Sequence, residues 1–133
     1  MAFQYSVTHR TNAMTQLATD VGSGGVLKIF TGSPPANCGT ADSGTLLATL
    51  TEAGTLGSAT SGVLTITATP NATAGNTGTA GYFRWYPSSP TTTNAVIQGL
   101  CGTSGSDLNM TSTSITSGQT VTFTSWTITA FGA

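Results

Sequence analysis

The sequence predicts an all-β protein, an antiparallel β-sandwich with one short N-terminal helix. Scarce charge, abundant hydroxyl side chains and alternating apolar residues favour this fold. Charged residues make up 5% of the 133 residues, against about 25% in an average globular domain. Threonine contributes 29 residues and serine 14, and β-branched threonine suits a pleated, half-exposed surface. Glutamate and lysine, which usually cover the solvent faces of helices, are almost absent.

The length fits one domain with its own core. We expect residues 11–133 to form this domain and residues 1–10 to form an N-terminal arm or edge strand. The arm alternates Phe3, Tyr5 and Val7, a pattern suited to pairing with a neighbouring subunit. Arg10, at its end, is a further candidate interface residue. Disorder is not favoured, because 38% of residues are apolar and the net charge is −1.

The first predicted element is a helix over residues 11–21. Its apolar residues recur every three or four positions: Met14, Leu17, Ala18 and Val21. Thr11 or Asn12 is the expected N-cap, and Gly22 stands where a helix would end.

Seven strands follow, each an apolar run or alternation between turn signals: residues 26–30, 46–51, 63–68, 82–86, 94–99, 107–110 and 120–130. Residues 52–61 and 70–79 are predicted to be loops. In the last strand the parity of the apolar residues changes between Phe123 and Trp126. This slip predicts either a bulge at residues 124–125 or a strand that crosses from one sheet to the other.

The strand at residues 82–86 is the most aromatic segment. Phe83 and Trp85 are expected to face the core, because the opposite face carries Tyr82, Arg84 and Tyr86. Two interpretations of that opposite face stay open. Rings beside a guanidinium can anchor a protein interface or stack on a sugar, and the same side chains fit the half-buried second face of a sandwich strand.

Catalytic chemistry is not expected, and no cofactor is predicted. His9 is the single histidine, and a Ser/His/Asp set can be assembled from any serine-rich sequence. The acids Asp42, Glu52 and Asp107 are scattered, which disfavours a carboxylate pair. The glycines of residues 22–25 lack a following lysine and precede a strand, so they do not form a phosphate loop.

The cysteines, the few charges and the N-terminus argue against several kinds of ligand and partner. Cys38 and Cys101 lack metal-ligand spacing; two free, partly buried thiols are expected, and a disulfide between two loops is the alternative. No basic patch is present for nucleic acid and no apolar run spans a membrane. The N-terminus lacks a signal-peptide pattern, so we expect the protein to be used without Sec export.

Five segments, in this order and at this spacing, are similar to a group of small tailed-phage virion proteins that includes head cement (decoration) proteins: residues 28–35, 44–50, 79–84, 107–110 and 117–121. The resemblance covers most of residues 11–130 and carries no catalytic motif. It implies a jelly-roll-like sandwich, assembled in the host cytoplasm, on the outside of an icosahedral head. There it would stabilise contacts between major capsid proteins, with a symmetric dimer favoured.

Two other functions remain open. One is a carbohydrate-binding β-sandwich module of a phage tail or fibre, which would use Tyr82 and Tyr86. The other is a tail-tube or baseplate component.

Overall fold

The computed structural model describes residues 3–52, 54–67, 72–121 and 126–132. Within these ranges one helix, α1 (Val7–Val21), precedes eleven strands. In chain order the strands are β1 (Val26–Thr31), β2 (Leu46–Thr51), β3 (Gly57–Thr60), β4 (Val63–Ile66), β5 (Ala72–Thr73), β6 (Gly78–Tyr86), β7 (Ile97–Gly102), β8 (Leu108–Asn109), β9 (Ser114–Ile115), β10 (Thr120–Val121) and β11 (Trp126–Thr129). The predicted all-β sandwich with one helix is confirmed. No helix among the described residues has the length and hydropathy needed to cross a bilayer.

The strands are arranged in two principal sheets. The larger has the order β2-β1-β6-β7-β8, with β9 pairing with the start of β6. The smaller has the order β11-β4-β3, and β10 pairs separately with β5. The described pairs are antiparallel except β7 with β8, which is parallel.

The core lies between the two principal sheets. Phe83 and Trp85 of β6 are fully buried in it, as predicted. Trp126 of β11 contacts both rings across the sandwich, edge-on to Phe83 with centroids 4.7 Å apart and stacked on Trp85 at 6.0 Å. These three rings hold the sheets together, since large aromatic side chains contribute the greatest buried apolar area.

The helix begins four residues earlier than predicted. Ser6 is its N-cap, and its hydroxyl accepts a hydrogen bond from His9 N at 3.1 Å. The predicted caps, Thr11 and Asn12, are therefore wrong. The helix ends as expected at Gly22, whose φ of +72° favours glycine.

The earlier start also corrects the predicted arm. Residues 7–10 are helical, so an extended arm or edge strand through Arg10 is wrong there. Residues 3–6 precede the helix without regular structure, and Tyr5 N donates to Gly132 O at 2.9 Å. Ala2 lies outside the described residues.

Several strand predictions also need correction. Strand β3 falls in the predicted loop 52–61; its sequence Gly-Ser-Ala-Thr carries no large apolar side chain that would reveal it. Strand β5 and the start of β6 fall in the predicted loop 70–79. Strand β7 begins three residues later than predicted, and the short β9 was not predicted.

The predicted strand 120–130 is described only at its two ends. Its first part, β10, pairs with β5, whereas β11 pairs with β4 in the smaller sheet. This change of sheet agrees with the second explanation for the parity slip. The alternative, a bulge at residues 124–125, lies outside the described residues.

Glu52 is a buried acid directly after β2, only 6% exposed. Its backbone N donates to Gly25 O at 2.8 Å, but its Oε1 accepts no hydrogen bond from any described residue. Burial therefore raises the pKa of Glu52 above its ordinary value. The fold therefore favours the protonated form of Glu52. The stability that goes with this protonated form is fully present below the pKa of the acid in the unfolded chain, and it is lost as the pH rises through the higher pKa of the folded state.

Replacing Trp126 by alanine should lower the free energy of unfolding by about 3–5 kcal/mol, because it empties the contact between the sheets. Urea unfolding of the purified variant measures this loss. Phe131→Ala is the matched control, because that ring is 92% exposed and its removal should change stability by less than about 0.5 kcal/mol. Equal losses in the two variants would contradict the assignment of Trp126 to the core.

Replacing Glu52 by glutamine should raise the free energy of unfolding at pH 7, by about 1 kcal/mol, because it removes a buried charge. The gain should shrink as the pH falls, because wild-type Glu52 then becomes protonated and its raised pKa brings this on at a higher pH than for an ordinary glutamate. Urea unfolding at several pH values tests this, with Asp20→Asn, an exposed acid on α1, as the control. A gain that does not depend on pH would rule out ionisation of Glu52 as its cause.

Candidate functional site at the chain termini

The outer face of the larger sheet is closed by loops, which corrects the predicted interface. Tyr82, Arg84 and Tyr86 are fully buried, so these three side chains cannot form a surface that meets a partner. The Tyr82 hydroxyl donates to Ser43 O at 2.6 Å and accepts from Ser43 N at 3.1 Å. The tyrosine ring also stacks on Phe30, with centroids 4.9 Å apart. The second interpretation, a buried second face, describes this strand.

Arg84 lies at the centre of this covered face. Its guanidinium donates six hydrogen bonds to oxygens of three surrounding segments. The acceptors are Gln98 Oε1 (3.1 Å from Nε and 2.8 Å from Nη2), Asp42 Oδ1 (2.9 Å), Asn37 O (2.9 Å), Thr40 O (2.9 Å) and Thr92 O (3.3 Å). The arginine therefore joins the loop after β1 and the loop after β6 to the sheet.

The charge of Arg84 is balanced inside this cluster. Asp42 forms an ion pair with it at 2.9 Å and accepts a hydrogen bond from the Tyr86 hydroxyl. Burial lowers the pKa of Arg84, but hydrogen bonds to Tyr86 and Asp42 outweigh it and raise the pKa above its ordinary value. Burial, with the hydrogen bond to Asp42, also raises the pKa of Tyr86. Lys28 Nζ lies 4.7 Å from the centre of the Tyr86 ring, a cation–π contact.

The exposed aromatic side chains gather instead where the two chain ends meet. We call Phe3, Tyr5, His9 and Phe131 the terminal patch. Phe3 is 78% exposed and packs edge-on against Tyr5, with centroids 5.2 Å apart. Tyr5 lies over His9 at 4.8 Å, and the hydrogen bond from Tyr5 N to Gly132 O brings Phe131 beside them.

A shallow cleft of about 160 Å³ runs through the terminal patch. Its lining combines residues of the N-terminal segment, α1 and the C-terminal segment: Tyr5, His9, Arg10, Ala13, Met14, Ala130 and Phe131. Arg10 is half-buried beside Gly62 in the turn between β3 and β4, and its Nε lacks a hydrogen-bond partner among the described residues. Of the six predicted interface residues, the structure thus brings Phe3, Tyr5 and Arg10 together at one surface.

Phe131 was not among the predicted interface residues. It stands alone between alanine and glycine, outside any alternating run. The available signal was parity, because Phe131 has the opposite parity to Trp126 and Ile128, the apolar residues of the last predicted strand. Its place beside Tyr5 depends on a contact between the two chain ends, which local patterns do not reveal.

The other chemically reactive groups lie apart. Cys38 and Cys101 are free and half-buried, as expected. Burial, with a smaller contribution from Asp107, raises the pKa of the Cys101 thiol to about 12. Three or more His, Cys, Asp or Glu side chains do not gather as a metal-binding group anywhere in the described ranges.

No protein-family model, curated protein or solved structure matches this chain.

Replacing Arg84 by lysine should lower the free energy of unfolding by about 3 kcal/mol, because some of the buried acceptors lose their donor and each such loss costs about 1–3 kcal/mol. A lysine ammonium has three donors at one point and cannot serve acceptors spread around a planar guanidinium. Urea unfolding measures the loss. Arg10→Lys is the matched control, since Arg10 is half-exposed, and should cost less than about 1 kcal/mol. An Arg84→Lys variant as stable as this control would refute the structural role of the cluster.

Proposed function

We propose that this chain is a structural subunit that binds other protein subunits through the terminal patch. The observation that carries the proposal is the cluster of exposed rings formed by Phe3, Tyr5 and Phe131, with Phe131 92% exposed. Aromatic side chains are enriched in protein interfaces, and tyrosine and tryptophan are common among the few residues that carry most of the binding energy there. Elsewhere in the described chain the large aromatic side chains are buried.

The distribution of charge supports the same proposal. Arg84 and Asp42 neutralise each other inside the fold, and Glu52 is buried. Few charged groups are therefore left on a surface rich in threonine and serine. Such a surface can lie against another subunit without burying unpaired charge, which would cost several kcal/mol per ion.

We further propose a specific setting for this subunit. The chain would be a capsid cement or decoration protein on the outside of an icosahedral phage head, where it stabilises contacts between major capsid proteins. This finer proposal depends on the segment resemblance described above. Its partners would be the major capsid protein and a second copy of the chain, without nucleic acid or membrane, and it would be assembled in the host cytoplasm.

The test adds purified protein to tailless phage heads prepared without this chain. Wild-type protein should bind and raise the temperature at which the heads break open. The double variant Phe3→Ala/Tyr5→Ala should lose affinity about tenfold or more, because truncating interface anchors costs about 2 kcal/mol. Bound copies per head, measured by quantitative gel or mass spectrometry, give the affinity.

Leu100→Ala is the matched control, because Leu100 is a 50% exposed apolar residue on β7, outside the terminal patch. It should bind like the wild type. Full occupancy by the double variant would contradict the role of the terminal patch. Binding to purified tails but not to heads would agree with the proposal that the chain is a protein-binding subunit, but it would contradict the proposal that it is a capsid protein.

A further inference from the structure

A second, larger cleft opens at the edge of the sandwich, where β7 of the larger sheet faces β11 of the smaller. Its volume is about 380 Å³, within the range of roughly 300–1,000 Å³ found for small-molecule sites. Apolar and hydroxyl-bearing residues share the lining, which consists of Phe83, Ile97, Gln98, Ser106, Asp107, Trp126, Thr127, Ile128, Thr129 and Phe131.

The rings in this lining differ in exposure. Phe83 and Trp126 are buried and pack against each other in the core, so they form an apolar base of the cleft. Phe131 is almost fully exposed and offers an open ring face beside the same cleft. An open ring next to an apolar base suits a flat ligand with one apolar side.

The polar groups of the cleft are positioned by the backbone. Asp107 Oδ2 accepts a hydrogen bond from Leu100 N at 2.9 Å, which fixes the carboxylate. Ser106 N donates to Asn109 Oδ1 at 3.1 Å, which holds the adjoining loop. The exposed Thr127 and Thr129 of β11 add hydroxyl groups, and each hydroxyl can both donate and accept.

We propose that this cleft binds a neutral saccharide. A sugar ring has an apolar face that can stack on Phe131 and hydroxyls that can donate to a fixed carboxylate. Asp107 is the single charged residue among the described residues of the lining, so an acidic ligand would meet a like charge without a compensating base from these residues. A quaternary ammonium ligand is also disfavoured, because it is usually bound in a cage of several aromatic faces and this cleft has one exposed ring.

This site differs from the one expected from the sequence, since Tyr82 and Tyr86 are buried and cannot stack on a sugar. The inference is argued from a different cleft than the proposed binding of protein subunits, but both sites use the ring of Phe131, so a partner subunit on the terminal patch would compete with the sugar for that ring. Phe131 borders both clefts, whereas Asp107 lines only the larger one and Phe3 is absent from the lining of the larger one. Asp107 and Phe3 therefore separate the two functions experimentally.

The test screens the full-length protein on an array of neutral and acidic glycans, then titrates the strongest neutral binder into isotope-labelled protein by NMR. We expect binding of neutral glycans, with shifts centred on residues 106–107 and 126–131. Phe131→Ala and Asp107→Asn should each weaken binding about tenfold, as expected when a central contact is removed. Asparagine retains an oxygen that can accept from Leu100 N, so the loop is expected to keep its fold.

Phe3→Ala is the control and should bind the glycan like the wild type, whereas Asp107→Asn should bind partner subunits like the wild type. Three results would overturn the proposal: no neutral glycan bound at millimolar concentration, shifts that map elsewhere, or glycan binding unchanged in both Phe131→Ala and Asp107→Asn. Choline chloride is titrated in parallel, and its binding at these residues in place of sugars would overturn the proposal too.

Discussion

The hydrogen bonding of the buried Arg84 guanidinium is the interaction on which the rest of the structure depends. A buried arginine is tolerated only when its charge is paired and its donors are satisfied. Here Asp42 supplies the charge, and Gln98 with three main-chain carbonyls supplies the remaining acceptors. Arginine and lysine together number three in this chain, and one of the three, Arg84, holds two loops against the sheet.

This interaction decides which surfaces are left for partners. Because the loops after β1 and β6 cover the outer face, strand β6 is buried on both sides from Tyr82 to Tyr86. The aromatic groups that stay exposed are then those of the terminal patch, which the Tyr5–Gly132 hydrogen bond draws together. The terminal patch and the cleft at the sandwich edge adjoin at Phe131, which borders both.

The fold was largely predictable, because the alternation of apolar and polar residues indicates which side of a strand is buried. The parity of Phe83 and Trp85 identified the core face correctly. Strand β3 was missed because its small side chains give no alternating pattern. The helix start was missed because Phe3, Tyr5 and Val7 alternate as in a strand, and residues 8–12 have no apolar side chain that would show helical spacing. The burial of Arg84 under loops could not be predicted, since several of its acceptors are main-chain carbonyls, which every residue possesses.

The terminal patch was predicted in part, through Phe3 and Tyr5, but its completion by Phe131 requires the two chain ends to meet.

A cryo-EM map of the assembled particle tests the central claim most directly, because it shows which surface of the chain meets its neighbours. We expect the chain on the outside of the head, with Phe3, Tyr5 and Phe131 buried against an adjacent subunit and the loops around Arg84 unchanged. A map in which these rings face solvent, while the loops of residues 32–45 and 87–96 form the contact, would contradict the claim.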